Sequence, residues 1–266
     1  MNIKSAKLVY FSPTQTTKRV VKGIAQGIQV AKVEHLDLTP PESGTRACEE
    51  MYDELVIVGA PVYGGRIPED AAHRLRRLQG NDTLAVIVVV YGNREYEDAL
   101  LELKDLVVKA GFIPVAGGAF LGEHSFSTGA MPIARGRPDT KDLRKAAAFG
   151  KMIRDKMRDI HTLDDISPLH VPGNYPYREW TKSSGISPIT QETLCDKCEI
   201  CATVCPTAAI VVQDTVETDP GACIWCCACV KNCPTGARVM DDPRTRQFAE
   251  WLNKNCGERK EPEMYV

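Results

Sequence analysis

Apolar and polar positions alternate regularly along the first part of the chain, up to about residue 160. Short runs rich in Val, Ile and Leu are separated by stretches in which apolar residues recur every three or four positions. Continuous apolar runs are typical of strands buried on both faces of a parallel sheet, and the wider spacing is typical of helices that pack on it. The predicted strands are Lys7–Phe11, Val30–Leu36, Leu55–Gly59, Leu84–Val90 and Ile113–Phe120.

Amphipathic helices are predicted between these strands. The clearest carries Leu100, Leu103 and Val107 on one face. Gly111 ends this pattern at a position where a left-handed residue is expected. The predicted helices are Thr17–Ile28, Glu69–Leu78, Glu95–Ala110 and Thr140–Met157. Five strands with interleaved helices predict an α/β domain with a doubly wound, five-stranded parallel sheet.

The regular pattern ends near residue 160, and we divide the chain there. Residues 1–160 are the predicted α/β domain, and the Pro- and Gly-containing residues 161–191 are a predicted linker. Residues 192–242 form a cysteine-rich domain, and residues 243–266 contain one short helix and a charged tail that we expect to be mobile.

Composition and charge argue against two classes of partner, nucleic acids and membranes. The 266 residues have a formal net charge of −2, which offers no basic face for nucleic acid. The longest apolar run, Leu84 to Tyr91, is far short of the roughly 20 residues that cross a bilayer. The N-terminus lacks the pattern of a signal peptide. We therefore expect a cytoplasmic protein with neither a nucleic-acid nor a membrane partner. Two basic runs could dock an acidic partner, but we interpret them as solvated helix faces: Arg74, Arg76 and Arg77, and Lys254, Arg259 and Lys260. The sequence leaves open whether the chain forms a homo-oligomer.

The cysteines are strongly clustered. Cys48 stands alone in the first part, nine fall between Cys195 and Cys233, and Cys256 follows near the end. Disulfide frameworks are typical of small secreted domains, whereas a clustered set in a cytoplasmic chain more often binds metal. We therefore predict a metal site in residues 192–242 and unpaired thiols at Cys48 and Cys256.

Eight of these cysteines form two copies of the spacing C-x2-C-x2-C-x3-C-P, offset by 28 positions (223 − 195). Structural zinc sites favour two paired knuckles with four ligands in total, so this double run favours two [4Fe-4S] clusters. In two-cluster proteins with this run, the fourth cysteine of each copy binds the other cluster. The predicted ligands are Cys195, Cys198, Cys201 and Cys233 for one cluster and Cys223, Cys226, Cys229 and Cys205 for the other. Cys227 is a predicted non-ligand.

This region resembles the bacterial-type ferredoxins that carry two [4Fe-4S] clusters. The resemblance implies a small α+β domain with pseudo-symmetry, in which the two clusters are close enough to exchange electrons.

A polar loop after the first strand is a candidate phosphate site. Hydroxyl and amide side chains together with free N–H groups at a helix N-terminus can cradle a phosphate. The loop lacks the lysine of a nucleoside-triphosphate loop. A well-capped helix is the alternative, and Thr14 or Thr16 could supply the cap. The candidate residues are Ser12, Thr14, Gln15, Thr16 and Thr17.

Two further loops follow the third and fourth predicted strands. Ligands of open α/β sheets bind at the carboxyl ends of strands. The glycines in these loops let the backbone approach a flat ring, and Tyr63 and Tyr96 offer aromatic faces. The candidate residues are Pro61, Val62, Tyr63, Gly64 and Gly65 in one loop, and Tyr91, Gly92, Asn93, Arg94 and Tyr96 in the other.

These three loops resemble those of flavodoxins. The resemblance implies FMN, with its phosphate in the Ser12–Thr17 loop and its isoalloxazine between the loops of Tyr63 and of Tyr91–Tyr96. Gln15 departs from the pattern because it occupies a glycine position. Its backbone could crowd the phosphate, or its amide could bond to it.

Residues 1 to about 240 resemble the flavodoxin–ferredoxin fusion proteins of anaerobic bacteria and archaea. The resemblance rests on the segments Ala60–Pro68, Tyr91–Leu100 and Gly122–Ser127. Glu123, His124 and Ser125 are candidates for the flavin-site wall, although a loop histidine is more often merely exposed.

The fusion proteins imply an electron carrier that links a low-potential donor to an acceptor through FMN and two clusters, with redox proteins as partners and no catalytic side chain assigned. A flavin-dependent oxidoreductase is the alternative. It would reduce a small substrate with electrons fed by the clusters and use His124 or Tyr96 as a general acid. A third interpretation is a docking domain that binds no flavin.

Overall fold

The computed structural model describes residues 1, 3–45, 49–51, 55–179 and 185–266. Cys48 and Trp180 lie outside the described residues. The elements up to residue 160 are β1 (Ser5–Tyr10), α1 (Thr16–Ile28), β2 (Lys32–Asp37), β3 (Glu49–Met51), β4 (Leu55–Pro61), α2 (Glu69–Leu75), β5 (Leu78–Gly80), β6 (Thr83–Tyr91), α3 (Ala99–Lys109), β7 (Phe112–Leu121) and α4 (Thr140–Asp159).

The five predicted strands correspond to β1, β2, β4, β6 and β7, and they pair in parallel in the order β2-β1-β4-β6-β7. Numbered among themselves, they have the order 2-1-3-4-5, which is that of flavodoxin-like sheets. Strand β4 is buried along its whole length, as its continuous apolar sequence predicts. The N-terminal part therefore has a flavodoxin-like α/β fold. The three-residue strands β3 and β5 form a separate parallel pair.

Helices cover both faces of this sheet. Helices α1 and α4 share one apolar core with residues such as Leu8 and Ile57, and α2 and α3 share the other with residues such as Val9 and Val58. Helices α1 and α4 approach each other closely at Gly27, where the Cβ of any other residue would lie 1.9 Å from the Ala147 carbonyl oxygen. Among the described residues, no helix is both long enough and apolar enough to cross a bilayer.

The remaining elements are β8 (Ile189–Thr190), α5 (Ile200–Thr203), β9 (Ile210–Val212), β10 (Val216–Thr218), α6 (Ala228–Lys231), β11 (Arg238–Val239), α7 (Pro243–Asn255) and β12 (Glu263–Tyr265). Strands β9 and β10 form one antiparallel pair, and β8 and β11 form another. The segment that contains Asn174 and Arg178 is held at the start of α3, since the Asp98 carboxylate accepts hydrogen bonds from the N–H groups of both residues.

The tail corrects two expectations. Strand β12 pairs antiparallel with β7, so the sheet has six strands and is mixed instead of five-stranded and parallel. The tail is also held in place rather than mobile. Tyr265 packs against one core and Met264 against the other, and the Tyr96 hydroxyl lies 2.8 Å from a Glu263 carboxylate oxygen. Three residues are too few for their alternation to be recognised as a strand in the sequence.

Candidate cofactor sites

A cleft of about 320 Å³, open to solvent, lies at the carboxyl ends of the central strands. Pockets for small ligands usually enclose about 300–1,000 Å³, so the cleft has the size of a small-ligand site. The predicted flavin-site residues that line it are Thr14, Thr16, Pro61, Val62, Tyr63, Gly64, Tyr91 and Gly92.

The loop before α1 presents free N–H groups. Ser12 organises this loop: its hydroxyl accepts from the Lys18 N–H at 3.1 Å and its own N–H donates to the Thr39 hydroxyl at 2.8 Å. Ser12 itself does not line the cleft. In the described part of the chain, the N–H groups of Thr16 and Thr17 have no acceptor. A helix N-terminus with free N–H groups favours an anion.

Gln15 adopts a left-handed conformation, with φ 63° and ψ 1°. This conformation costs a residue with a side chain roughly 1–2 kcal/mol, which explains why similar loops have glycine there. The Gln15 Nε2 donates to the Ser12 carbonyl at 3.2 Å, so the side-chain amide is held by its own loop. Gln15 does not line the cleft.

Asn93, Arg94 and Tyr96 hold other parts of the chain. The Asn93 Nδ2 donates to the carbonyl oxygens of Cys256 at 2.6 Å and Glu258 at 2.7 Å, and Arg94 pairs with Glu97. Burial raises the pKa of Tyr96, and its hydrogen bonds to the tail add to this effect. None of the three predicted residues lines the cleft. The geometry thus separates Tyr96 from the place where a general acid would act.

Thr17 and Gly65 are packed behind the cleft. The Thr17 hydroxyl is buried without a partner in the described residues, beside Gly59. Gly65 has φ 84°, and a Cβ there would lie 1.6 Å from a Glu97 carboxylate oxygen. Flavin binding by the predicted residues stays a prediction, both for those that line the cleft and for those that lie outside its wall.

The segment after β7 supplies a wall of the cleft through Glu123, His124, Ser125 and Phe126. The His124 ring packs on Gly92, where a Cβ would lie 2.4 Å from its Cδ2. Burial lowers the pKa of His124 to about 4, with Lys231 and Arg94 acting in the same direction. Its Nδ1 accepts from the Phe126 N–H at 3.0 Å, as a neutral ring allows. The alternative of a merely exposed loop histidine is therefore wrong.

The cysteine-rich part and α7 complete the cleft with Cys223, Ile224, Trp225 and Phe248. The Trp225 Nε1 donates to the Ile186 carbonyl at 2.7 Å, which orients the indole. Sequence reasoning did not place these residues in the wall of the cleft, because no local pattern indicates which side of the sheet a second domain covers.

A buried arginine joins the two parts. The Arg74 guanidinium donates to the Pro206 carbonyl at 2.6 Å and to the carbonyls of Leu38 and Thr39 at 2.7 Å. Its face also lies 5.2 Å from the Phe11 ring centroid. The interpretation of Arg74 as part of a solvated helix face is therefore wrong.

Two cavities much smaller than the cleft lie within the cysteine-rich part. Of the predicted ligands, each has three cysteines from one copy of the repeat and a fourth from the other copy, in the predicted grouping. The first is lined by Cys223, Cys226, Cys229 and Cys205, and the second by Cys195, Cys198, Cys201 and Cys233. No group of three or more His, Cys, Asp or Glu side chains within the described ranges is arranged to hold a single metal ion.

Local backbone geometry explains how each copy surrounds its cavity. Lys197 and Glu199 have left-handed φ angles of 56° and 61°, and the equivalent Trp225 and Cys227 have 58° and 55°. These turns wind both loops in the same way. Cys227 is a buried free thiol that also borders the first cavity.

Burial raises the pKa of the Cys226 and Cys229 thiols. Metal binding there would release protons because the thiolate is the ligand.

The cleft and the first cysteine cavity share a wall. Cys223 and Ile224 line both of them. The cysteine sets also differ in access to solvent: Cys205, Cys226 and Cys229 are buried, whereas Cys198 of the second cavity is exposed. The first cysteine cavity therefore lies next to the cleft, whereas the second shares no lining residue with the cleft.

Solved structures with similarity to the N-terminal part include flavodoxins. A flavodoxin from the domain Archaea has 18% identity, covering 58% of this chain and 99% of that chain, with a TM-score of 0.37. A Fusobacterium nucleatum flavodoxin bound to flavin mononucleotide has 16% identity, covering 60% and 100%, with a TM-score of 0.39. Rubredoxin oxygen:oxidoreductase from the anaerobe Desulfovibrio gigas has 13% identity, covering 59% and 36%, with a TM-score of 0.40.

The curated proteins include no match to this chain. Residues 188–211 match the family model of the 4Fe-4S binding domain. The matched segment contains the first copy of the cysteine repeat, and it indicates a 4Fe-4S cluster in this part of the chain.

Proposed function

We propose that the chain is an electron carrier in which FMN and two [4Fe-4S] clusters act in series. The observation that carries the proposal is the wall of Cys223 and Ile224, which separates the cleft from the first cysteine cavity. A cofactor in the cleft would lie against a ligand of the neighbouring cluster. The arrangement agrees with the resemblance to flavodoxin–ferredoxin fusion proteins.

The cleft fits FMN in two respects. The free N–H groups of Thr16 and Thr17 suit the phosphate. Tyr63, Gly92 and Trp225 line the space that the flat ring system would occupy. Helices on both faces of the sheet support the proposed doubly wound arrangement, in which ligands bind outside the carboxyl ends of the strands.

The two cysteine cavities fit two clusters. The three-plus-one grouping of their sulfurs is the one that two-cluster proteins with this spacing use. We propose that Cys205, Cys223, Cys226 and Cys229 hold the cluster next to FMN. Cys195, Cys198, Cys201 and Cys233 would hold the outer one. The proposed segments remain residues 1–160, 161–191, 192–242 and 243–266.

When bound, FMN supplies two-electron chemistry with single-electron release, and each cluster supplies a one-electron centre. The protein brings these centres close together and excludes water between them through Ile224. The exposed Cys198 marks the outer cluster as the contact point for redox partner proteins. We place this carrier in the cytoplasm.

A flavin-dependent oxidoreductase is the second candidate function. It is favoured by His124 and Glu123 in the cleft wall, where they could hold or move a proton beside a small substrate. Reoxidation of FMN by that substrate, and not by other electron carriers, would support it.

The test is a cofactor count on anaerobically purified protein, followed by reductive titration with dithionite. We expect about eight iron atoms and one FMN per chain, and about four electrons taken up. Replacement of a cavity cysteine, Cys226→Ala, should remove about four iron atoms and one electron. The matched control Cys256→Ser should change neither count, since Cys256 lines neither cavity.

Other outcomes would contradict parts of the proposal. Four iron atoms in the unaltered chain would contradict the second cluster. Full iron without flavin, even after FMN is added, would contradict the flavin half and leave a ferredoxin with a docking domain.

A further inference from the structure

Arg238, the first residue of β11, is a buried cation without an anionic partner. Its side chain is almost completely buried, and the residue is 2% exposed. Its guanidinium donates to the Thr190 and Thr218 hydroxyls at 2.7 Å and to the Pro188 carbonyl at 3.0 Å. All three acceptors are neutral, and its Nε has no acceptor within the described residues.

A buried charge normally has a counter-ion, because the transfer of an unpaired charge from water into the protein costs several kcal/mol. Arg137, which is 5% exposed, follows this rule and pairs with Asp142 through two hydrogen bonds. Among the described residues Arg238 has no carboxylate within ion-pair distance. Its counter-charge must therefore come from something that the cavities beside it hold.

Both cysteine sets face this guanidinium. Arg238 lines the second cavity together with Cys195, Cys198, Cys201 and Cys233. Its Nη2 also lies 3.9 Å from the Cys229 Sγ, which belongs to the first set. The cation thus lies beside sulfurs of both sets.

We propose that Arg238 is the shared counter-ion of the two clusters and that it raises the reduction potential of both. The inference rests on the proposed function, because it requires two clusters. Reduction adds one electron to a cluster, and a fixed cation stabilises the more negative state. Because one guanidinium faces both sets, its removal should shift both potentials, whereas an ordinary packing defect would affect the nearer site.

The test measures the two midpoint potentials of the full-length, cluster-loaded protein by redox titration with electron paramagnetic resonance. Arg238→Met removes the charge, and Arg238→Gln removes it while keeping an amide that can bond to Thr190 and Thr218. At a fixed applied potential, the ratio of reduced to oxidised form should fall about tenfold or more for both clusters. A tenfold fall corresponds to a midpoint potential about 59 mV lower for a one-electron centre.

Two variants serve as controls. Arg238→Lys keeps the charge, so both midpoint potentials should stay close to those of the unaltered protein. Arg246→Met removes an exposed arginine of α7, which pairs with Asp241, and should shift neither potential.

Unchanged potentials in Arg238→Gln, or a shift at one cluster only, would overturn the inference. If neither neutral variant assembles clusters while Arg238→Lys assembles both, the need for the charge supports it. The iron and sulfide count of the unaltered chain tests the proposed function separately: a full count with unmoved potentials overturns only the role of Arg238.

Discussion

The α/β part and the cysteine-rich part are built on different amounts of apolar core. The α/β part has two extensive cores, one on each face of its sheet. The cysteine-rich part has one small cluster, and three of its six buried members are Cys201, Cys205 and Cys229. A segment of about 50 residues is marginal by size alone. The comparison teaches that the first part can fold by apolar burial, whereas the second depends on its ligands and on docking.

Docking also differs in kind from the core packing. Arg74 and Lys231 connect the two parts through polar contacts: Arg74 to the Pro206 carbonyl, and Lys231 to the Glu123 carboxylate at 2.7 Å and the Ser127 carbonyl at 2.6 Å. Such contacts are directional, so they orient the cysteine cavities against the cleft.

Removal of the clusters should have the largest effect, because it should unfold the cysteine-rich part and leave the α/β part folded. Binding free energy at a metal site is folding free energy when the apo segment lacks a core. We expect residues 188–242 to lose amide protection while β4 and β6 keep theirs. Hydrogen exchange followed by mass spectrometry, on loaded and cluster-free protein, measures this. Equal protection of residues 188–242 in both forms would show that the segment folds without clusters.

Replacing the docking arginine should have an intermediate effect. Arg74→Met leaves the buried Pro206 carbonyl without its donor, which costs about 1–3 kcal/mol for an unsatisfied group. We expect the cluster absorbance to be lost at a lower denaturant concentration. Arg76→Met is the matched control, because Arg76 is exposed on the same helix end and its loss should stay within about 0.5 kcal/mol. An equal midpoint in the two variants would contradict the docking role.

A methyl group in the cleft should have the smallest and most local effect. Gly92→Ala places a Cβ against the His124 ring, and overpacking of this kind costs about 1–3 kcal/mol. We expect the FMN dissociation constant to rise about tenfold or more, with iron content unchanged. Gly129→Ala is the control, since its Cβ has no neighbour closer than 4.0 Å. Unchanged FMN affinity in Gly92→Ala would place the flavin elsewhere, and lost iron would mean that the two parts are not independent.

Local patterns were sufficient for much of this molecule. The continuous apolar runs correctly predicted the five parallel strands, with boundaries shifted by a few residues, as for β2, which begins at Lys32. The eight cysteines lie around two cavities in the grouping that the repeat spacing predicts, and turns at Lys197 and Trp225 belong to the same short loops as the cysteine triplets. Three residues or fewer between ligands leave the chain little freedom.

Long-range placement required the tertiary structure. The cleft takes its walls from three strand ends, from the segment of His124 and from the docked Trp225 and Phe248, which are distant in sequence. Asn93 and Tyr96 have the composition of a flavin loop, yet they hold the tail. A loop residue of this kind can contact either a bound flavin or another segment of the chain, and only the packing of the whole chain decides which of the two lies near it.

The sequence by itself determined the positions of the parallel strands, the helix that presents free N–H groups at Thr16 and Thr17, and the triplet of cysteines on each loop, since these depend on neighbours within a few residues. Only the tertiary structure decided that β12 closes the sheet, that Cys223 and Ile224 join the cleft to a cysteine cavity, and that Arg238 lies between both sulfur sets. These contacts connect segments far apart in the chain, and their geometry follows from how whole surfaces pack.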